Sequence, residues 1–225
     1  MGWPLGWKNG GGSFMYHLEN NQVYVGYIVD LNYKNPHLYP YGEFQRWKHH
    51  PDIAGVLEGG KRVAYGARVV TKGGIQSIPQ CAFPGGALLG CSAGLVNLLR
   101  IKGKHNAMLS GMAAAEAAFA AIKNNRSGDV LESYDAELRS GPVGKDLKKV
   151  RNVAPLNAKF GPLGGMMFGG VDMWMSDLFG FNILGTLGHG KSDAEATGEA
   201  SDYKKIDYPK PVSYTHLTLP TTSRV

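Results

Sequence analysis

Apolar and polar positions alternate most clearly early in the chain. From Gln22 to Asn32 the run QVYVGYIVDLN is rich in β-branched and aromatic residues and leads into Lys34-Asn35-Pro36, so it predicts a strand closed by a turn. Tyr41 to His50 (YGEFQRWKHH) changes period, with Phe44 and Trp47 on one face, and predicts a short helix stopped by Pro51. Arg62 to Val70 (RVAYGARVV) predicts a second strand. Phe83-Pro84-Gly85-Gly86 is a turn, and Ala87 to Leu89 is a short apolar strand running into Gly90.

Helical spacing dominates the second half. His105 to Ile122 (HNAMLSGMAAAEAAFAAI) is alanine-rich, follows Gly103 and ends before the polar Lys123-Asn124-Asn125-Arg126. Val130 to Arg139 places Val130, Tyr134 and Leu138 one turn apart, with Asp129 as the expected cap. Phe160 to Leu187 is the most apolar stretch, but Asp172 and Asp177 interrupt it, so it falls short of the ~20 apolar residues that cross a bilayer. A buried core segment is the first expectation for it. The alternative is a monotopic patch in one leaflet, with Lys148, Lys149, Arg151, Lys159 and Lys191 set for anionic headgroups and with Met166, Phe168, Trp174 and Phe179 exposed on one face.

Composition changes this picture in three ways. The 225 residues contain 43% hydrophobic and 19% charged residues, which fits a folded chain and excludes disorder as its main state. The 32 glycines include the doublets Gly59-Gly60, Gly73-Gly74, Gly85-Gly86, Gly164-Gly165 and Gly169-Gly170, which suit tight turns and close backbone approach to a ligand. A net charge of +6 could suit nucleic acid, but the one dense basic run, Lys145 to Arg151, comes without a recognition motif, so nucleic acid is not an expected partner. The two cysteines, Cys81 and Cys91, form no CxxC pair, and His49-His50 lacks spaced companion ligands, so no metal site is expected. Cys91 reads as a small packed side chain, there being no basic neighbour in sequence to activate it. Ser213 to Val225 has no periodic apolar face and resembles translated adaptor sequence; it is expected to pack on nothing.

The chemistry concentrates in glycine turns. Gly85 to Asn97 (GGALLGCSAGLVN) ends a strand in a glycine and serine turn that exposes backbone N–H groups to an anionic or carbonyl-bearing ligand. By itself such a turn is common and equally compatible with a purely structural βα connection.

Longer strings narrow the choice. Gly2-Trp3-Pro4-Leu5, Gly11-Gly12-Ser13-Phe14 running into Tyr16-His17-Leu18, Asn35-Pro36, EFQRWK (Glu43 to Lys48) and LEGGKRVAYGAR (Leu57 to Arg68) occur in order. Gln76-Ser77, FPGGALLGCSA (Phe83 to Ala93), Ile101 to Gly103, His105-Asn106, Val150 to Val153 and Tyr208 to Lys210 continue the series. Together they resemble the electron-transfer flavoprotein:ubiquinone oxidoreductases.

That resemblance implies an internal piece of a membrane-associated, monotopic flavoenzyme of a bacterial cytoplasmic or mitochondrial inner membrane. Such an enzyme takes electrons from electron-transfer flavoprotein through FAD and a 4Fe-4S cluster to ubiquinone. It implies an α+β fold: a mixed sheet with packed helices as the quinone-binding region, residues 1–84, then the C-terminal part of a two-part FAD-binding domain, 85–126. A helical, membrane-associated region, 127–212, and a non-native tail, 213–225, would follow. Gly11 and Gly12 would bind quinone, and Gly90, Ser92, Gly94 and Asn97 would contact the flavin, with the two turns facing a common cavity. Cys91 stands where related flavoenzymes have Asp, which matches this family, whereas Trp7-Lys8-Asn9-Gly10 differs from its usual run before the glycine pair. No G-x-G-x-x-G pyrophosphate fingerprint and no four-cysteine segment occurs in the sequence, so pyrophosphate and cluster ligands are expected outside it and the piece alone is expected to be inactive. Outer-sphere relay requires no catalytic acid or base. A flavin-dependent reductase of isoprenoid lipids and a non-enzymatic peripheral membrane module are the competing readings.

Overall fold

The computed structural model describes residues 3–6, 9–182 and 184–209; the expected non-native tail from Ser213 lies outside the described residues. The chain forms two compact units, one from residues up to Ala67 together with those from Lys191 onward, the other from Arg68 to Gly190.

In the first unit, β1 (Gly11–His17) and β2 (Val23–Val29) form an antiparallel hairpin, with Gly12 opposite Ile28, Phe14 opposite Gly26 and Tyr16 opposite Tyr24. Its inner face packs on α1 (Pro40–Lys48) through Tyr27, whose ring lies 6.2 Å from Phe44 and 6.1 Å from Trp47. Proline at the first turn starts both α1 and α2 (Pro51–Leu57), because its fixed φ suits a helix start and its missing N–H has no partner there anyway. Pro51 therefore opens a further helix as well as closing the one expected to reach His50. The returning segment is stitched to this unit: Gly198 N–H donates to the Lys34 carbonyl at 2.8 Å, and the Tyr208 hydroxyl accepts from Tyr39 N–H at 2.8 Å and donates to Glu43 at 3.1 Å. α7 (Asp193–Ala196) sits in that segment behind a Ser192–Glu195 capping box.

The second unit is helical. Its sheet consists of β3 (Ala82–Phe83) and β4 (Gly86–Ala87), joined by the expected turn, and a 3₁₀ turn, Gly90–Ala93, follows. α3 (Lys104–Lys123) buries Asn106, Ser110, Ala114, Ala117 and Ala121, a stripe of small residues at helical spacing that lets α4 (Glu132–Ser140) and α5 (Pro142–Lys149) approach closely. Tyr134, Leu138, Leu147, Leu95 and Cys81 complete this core. Asp129 does not cap α4: Leu131 holds the cap position and Asp129 pairs with Arg126 at 2.6 Å, a local ion pair winning over the cap.

α6 (Val153–Phe179) carries the most apolar stretch. Gly161, at φ 73, breaks it and Pro162 starts its second half, which ends on left-handed Gly180. No described helix is long and apolar enough to cross a membrane.

Two expectations about sheet differ from the structure. Arg62 to Val70 forms no strand, and Val63, Tyr65 and Val69 are exposed, because a β-branched run becomes a strand only when another strand satisfies its backbone. For the same reason the described residues show two small antiparallel ladders and no mixed sheet.

Candidate functional site

Gly11 and Gly12 open β1, and the structure separates their roles. A side chain at Gly11 would collide with the Ile28 carbonyl and the Leu5 side chain, so that glycine is needed for packing. A side chain at Gly12 would meet nothing within 4 Å. Neither has a left-handed φ, so the missing side chain at Gly12 leaves open backbone beside the hairpin rather than serving a turn.

Gly90, Ser92, Gly94 and Asn97 lie in the other unit, on the turn leading to α3. Gly90 (φ 54) and Gly94 (φ 76) are left-handed, which ordinary residues avoid. A Cβ on Gly90 would lie 3.0 Å from that of Ala107, so the turn sits against α3. Its N–H donates to Ser110 Oγ at 3.1 Å, and Ser110 Oγ donates to the Ala107 carbonyl at 2.9 Å. Cys91 and Ser92 are exposed at the apex, so Cys91 is not the packed side chain expected.

Asn97 is fully buried and engaged on both sides: its Nδ2 donates to Asp146 Oδ2 at 2.9 Å and its Oδ1 accepts from Arg100 N–H at 3.1 Å. Asp146, from α5, is the hub that sequence reasoning missed. Its Oδ2 also accepts from Asn106 Nδ2 at 3.2 Å and meets His105 Nε2 at 3.1 Å, while Arg100 lies 3.6 Å from Oδ1. Burial alone would raise the Asp146 pKa, but these hydrogen bonds and the Arg100 charge outweigh it and hold the carboxyl below its usual range. In the sequence it lies inside KDLKKVR, which reads only as a dense basic run.

Metal chemistry finds no site among the described residues, which contain no group of three His, Cys, Asp or Glu placed around an ion. Burial, and then the Asp135 charge, pushes the Cys81 thiol up, favouring the protonated form.

The second half of α6 corrects the buried expectation. Leu163, Met167, Val171, Trp174 and Leu178 are exposed at spacings of three and four, one continuous ridge. Met166, Phe168 and Phe179 are exposed too, on its flanks, so the four named side chains cover the wide solvent half of the helix rather than one narrow face. Asp172 does not interrupt this surface. It points inward, 4% exposed, accepting from Asn152 Nδ2 and Asn182 Nδ2, each at 2.8 Å. Asp177 is matched by Lys149 at 3.0 Å.

Comparison with known proteins gives the family. A family model described as "ETF-QO, ubiquinone-binding" matches residues 1–70. Electron transfer flavoprotein-ubiquinone oxidoreductase of Pseudomonas aeruginosa is 51% identical over 93% of this chain and 38% of its own length. The mitochondrial protein of that name from Caenorhabditis elegans is 48% identical over 94% of the chain and 36% of its own length, and the human one 46% over 94% and 35%. The chain belongs to the electron transfer flavoprotein-ubiquinone oxidoreductase family, and it spans a little over a third of the length of the curated relatives it matches.

Proposed function

We propose that the chain supplies the quinone-binding part and one flavin-facing turn of an enzyme that moves electrons from electron-transfer flavoprotein to ubiquinone at a membrane surface. The observation that carries this reading is Gly12, a glycine with open space beside it inside the segment matched by the ubiquinone-binding family model. Quinone carbonyls accept hydrogen bonds, and backbone without side chains lets them approach N–H groups closely.

FAD would supply the electron-relaying ring when bound, passing electrons on by outer-sphere transfer. For it, the turn fits in two respects: Gly90 and Gly94 take backbone conformations that side chains would disfavour, and the Ser92 side chain is exposed at the apex. Ser92 and the turn backbone would hold the ring end. Asn97, with both side-chain ends engaged, fits a strut that fixes the turn. A 4Fe-4S cluster does not fit: it needs about four thiolates, and the chain has Cys81 and Cys91. No electron step is therefore routed through a cluster held by this chain.

Membrane association is supported by the exposed ridge of α6 and by the inward turn of Asp172, which leaves the outer surface free of charge between Phe160 and Ser176. Lying flat, a helix of this kind buries its apolar face at the headgroup boundary. The same ridge supports a peripheral membrane module without redox role as the second reading.

Titrating a short-chain ubiquinone into the isotopically labelled chain separates the two. Saturable amide shifts at Gly12 and its neighbours, abolished by Gly12→Val, are expected. Absence of saturable binding, with vesicle binding retained, would favour the membrane module.

A further inference from the structure

α3 has two apolar sides. Asn106, Ser110, Ala114, Ala117 and Ala121 form the buried stripe on which α4 and α5 pack. Met108, Met112, Phe119 and Ile122 are 69%, 59%, 69% and 72% exposed, and Ala115 between them is exposed too. At about 100° per residue the two stripes fall on opposite sides of the helix. The exposed set is spaced four, three, four and three residues apart, the spacing of a seam that a second helix fills. A surface helix carries charge on its outer face, whereas between Lys104 and Lys123 the one acidic or basic side chain other than His105 is Glu116. Along one flank of the seam runs a groove between α3 and α4, lined by Leu109, Ala113 and Ala120 and by Glu116, Ser133 and Glu137. Neither glutamate side chain has a hydrogen bond or ion pair among the described residues, although the chain carries a net charge of +6.

We propose that the outer side of α3 seats an amphipathic helix from the part of the family's polypeptide beyond this chain, its apolar face on the seam and lysine or arginine over Glu116 and Glu137. The proposal depends on neither the quinone nor the flavin reading. The P. aeruginosa relative is matched over 38% of its length, so most of such an enzyme lies outside the matched segment and needs surface to pack on. Area argues against a second copy of this chain. From Met108 to Ile122 the seam runs about 21 Å and is about 10 Å wide, roughly 200 Å² a side, whereas a stable dimer buries about 800 Å² of each partner. A helix on the same polypeptide forms a small contact more readily, because the connection raises its effective concentration to about the millimolar range. Charge argues against a lipid surface, since anionic headgroups are repelled by Glu116 and Glu137. The same two carboxylates set the sign of the partner's flank.

Met108 and Met112 report on the seam directly, because peroxide converts an exposed thioether to its sulfoxide and peptide mass spectrometry counts the product. In the 225-residue chain both are expected to oxidise within about twofold of the rate in an unfolded peptide. A hybrid of full family length carries this chain's matched residues in place of those of the P. aeruginosa protein. There the two methionines are expected to oxidise at least about tenfold more slowly. A second measurement uses the chain alone, titrated with a helical peptide of about three heptads bearing a leucine seam and flanking lysines. This peptide should slow both methionines, and its counterpart with glutamates for lysines should bind at least about tenfold more weakly. Glu116→Lys with Glu137→Lys should abolish that preference and leave the circular dichroism of the chain unchanged. Methionines that oxidise equally fast in hybrid and chain would overturn the proposal, as would a lysine helix that binds no better than the glutamate one. Protection in the chain alone that rises with its concentration and is lost in Phe119→Glu would overturn it in favour of a second copy.

Discussion

Single side chains here do their work by convergence. Asp146 gathers Asn97, Asn106, His105 and Arg100, and so fastens the turn at Gly90–Ala93 to the first turn of α3. Removing its charge leaves three donors in search of an acceptor, and hydrogen bonds to a charged group contribute about 1.5–3 kcal/mol. Asp146→Ala is therefore expected to lower stability by roughly 2–3 kcal/mol, and amide exchange at Leu95 and Asn97 should accelerate more than exchange in α6. The pH dependence follows from the depressed folded-state pKa. Stability from Asp146 is fully present above the unfolded carboxyl value of about 3.9 and is lost as pH falls through the lower folded value. Asp146→Asn should flatten that acid limb, which urea titrations between about pH 2 and 5 would reveal. In the other unit Tyr208 plays a similar part: burial raises its hydroxyl pKa to about 12, and Tyr208→Phe removes the acceptor of the Tyr39 N–H and one of the donors to Glu43 Oε1, which keeps Arg46 at 3.0 Å. A loss of about 1–2 kcal/mol in thermal unfolding is expected for it. None of these partnerships was legible in the sequence, since Asp146 sits 49 residues from Asn97 and Tyr208 lies 165 from Glu43. Sequence showed which residues had the right chemistry, and only the fold showed which would meet.

Elements with a local cause were the legible ones. α3 was expected over His105 to Ile122 and spans Lys104–Lys123, because alanine propensity and a polar stop act within the segment itself. The strand ending before Lys34-Asn35-Pro36 held because β1 lies close by to pair with it. Arg62 to Val70 had the same composition and no partner strand among the described residues, so its pattern had nothing to act on. α6 shows the limit of counting charges. Asp172 counted from sequence as a break in the apolar run, yet it is turned inward onto Asn152 and Asn182, and the ridge runs past it. Glutamate at both Met167 and Trp174 should therefore reduce binding to liposomes with anionic lipid by at least about tenfold, since each exposed apolar side chain contributes on the order of 1.5–3 kcal/mol on burial. Helix content should be unchanged, because both side chains face solvent. Sedimentation of the double variant with liposomes to the same extent as the unsubstituted chain would return α6 to the role of an ordinary surface helix.

The whole molecule divides its candidate sites between two units, with Gly11 and Gly12 in one and the turn at Gly90 to Asn97 in the other. The glycine strings were legible because each is local, a few residues long and tied to backbone conformation or approach. What joins them into an enzyme depends on long-range assembly, in a family whose members are about two and a half times as long as this chain. Flavin binding is where that difference can be measured. Dinucleotides of this class are held chiefly by a glycine fingerprint that delivers the pyrophosphate to a helix N-terminus, and the chain contains no G-x-G-x-x-G. In the reading proposed above, what remains is the ring end alone, through Ser92 and the backbone of a turn fastened by Asp146. A ligand stabilises a protein by RT ln(1 + [L]/Kd), so at a concentration equal to Kd the gain is only about 0.4 kcal/mol, roughly 1 °C for a chain of this size. Adding FAD at about 50 μM should therefore move the melting temperature by less than about 1 °C. A rise of about 5 °C at that concentration would mean a Kd in the low micromolar range or below. It would show that the turn and its supports bind the flavin without any pyrophosphate fingerprint.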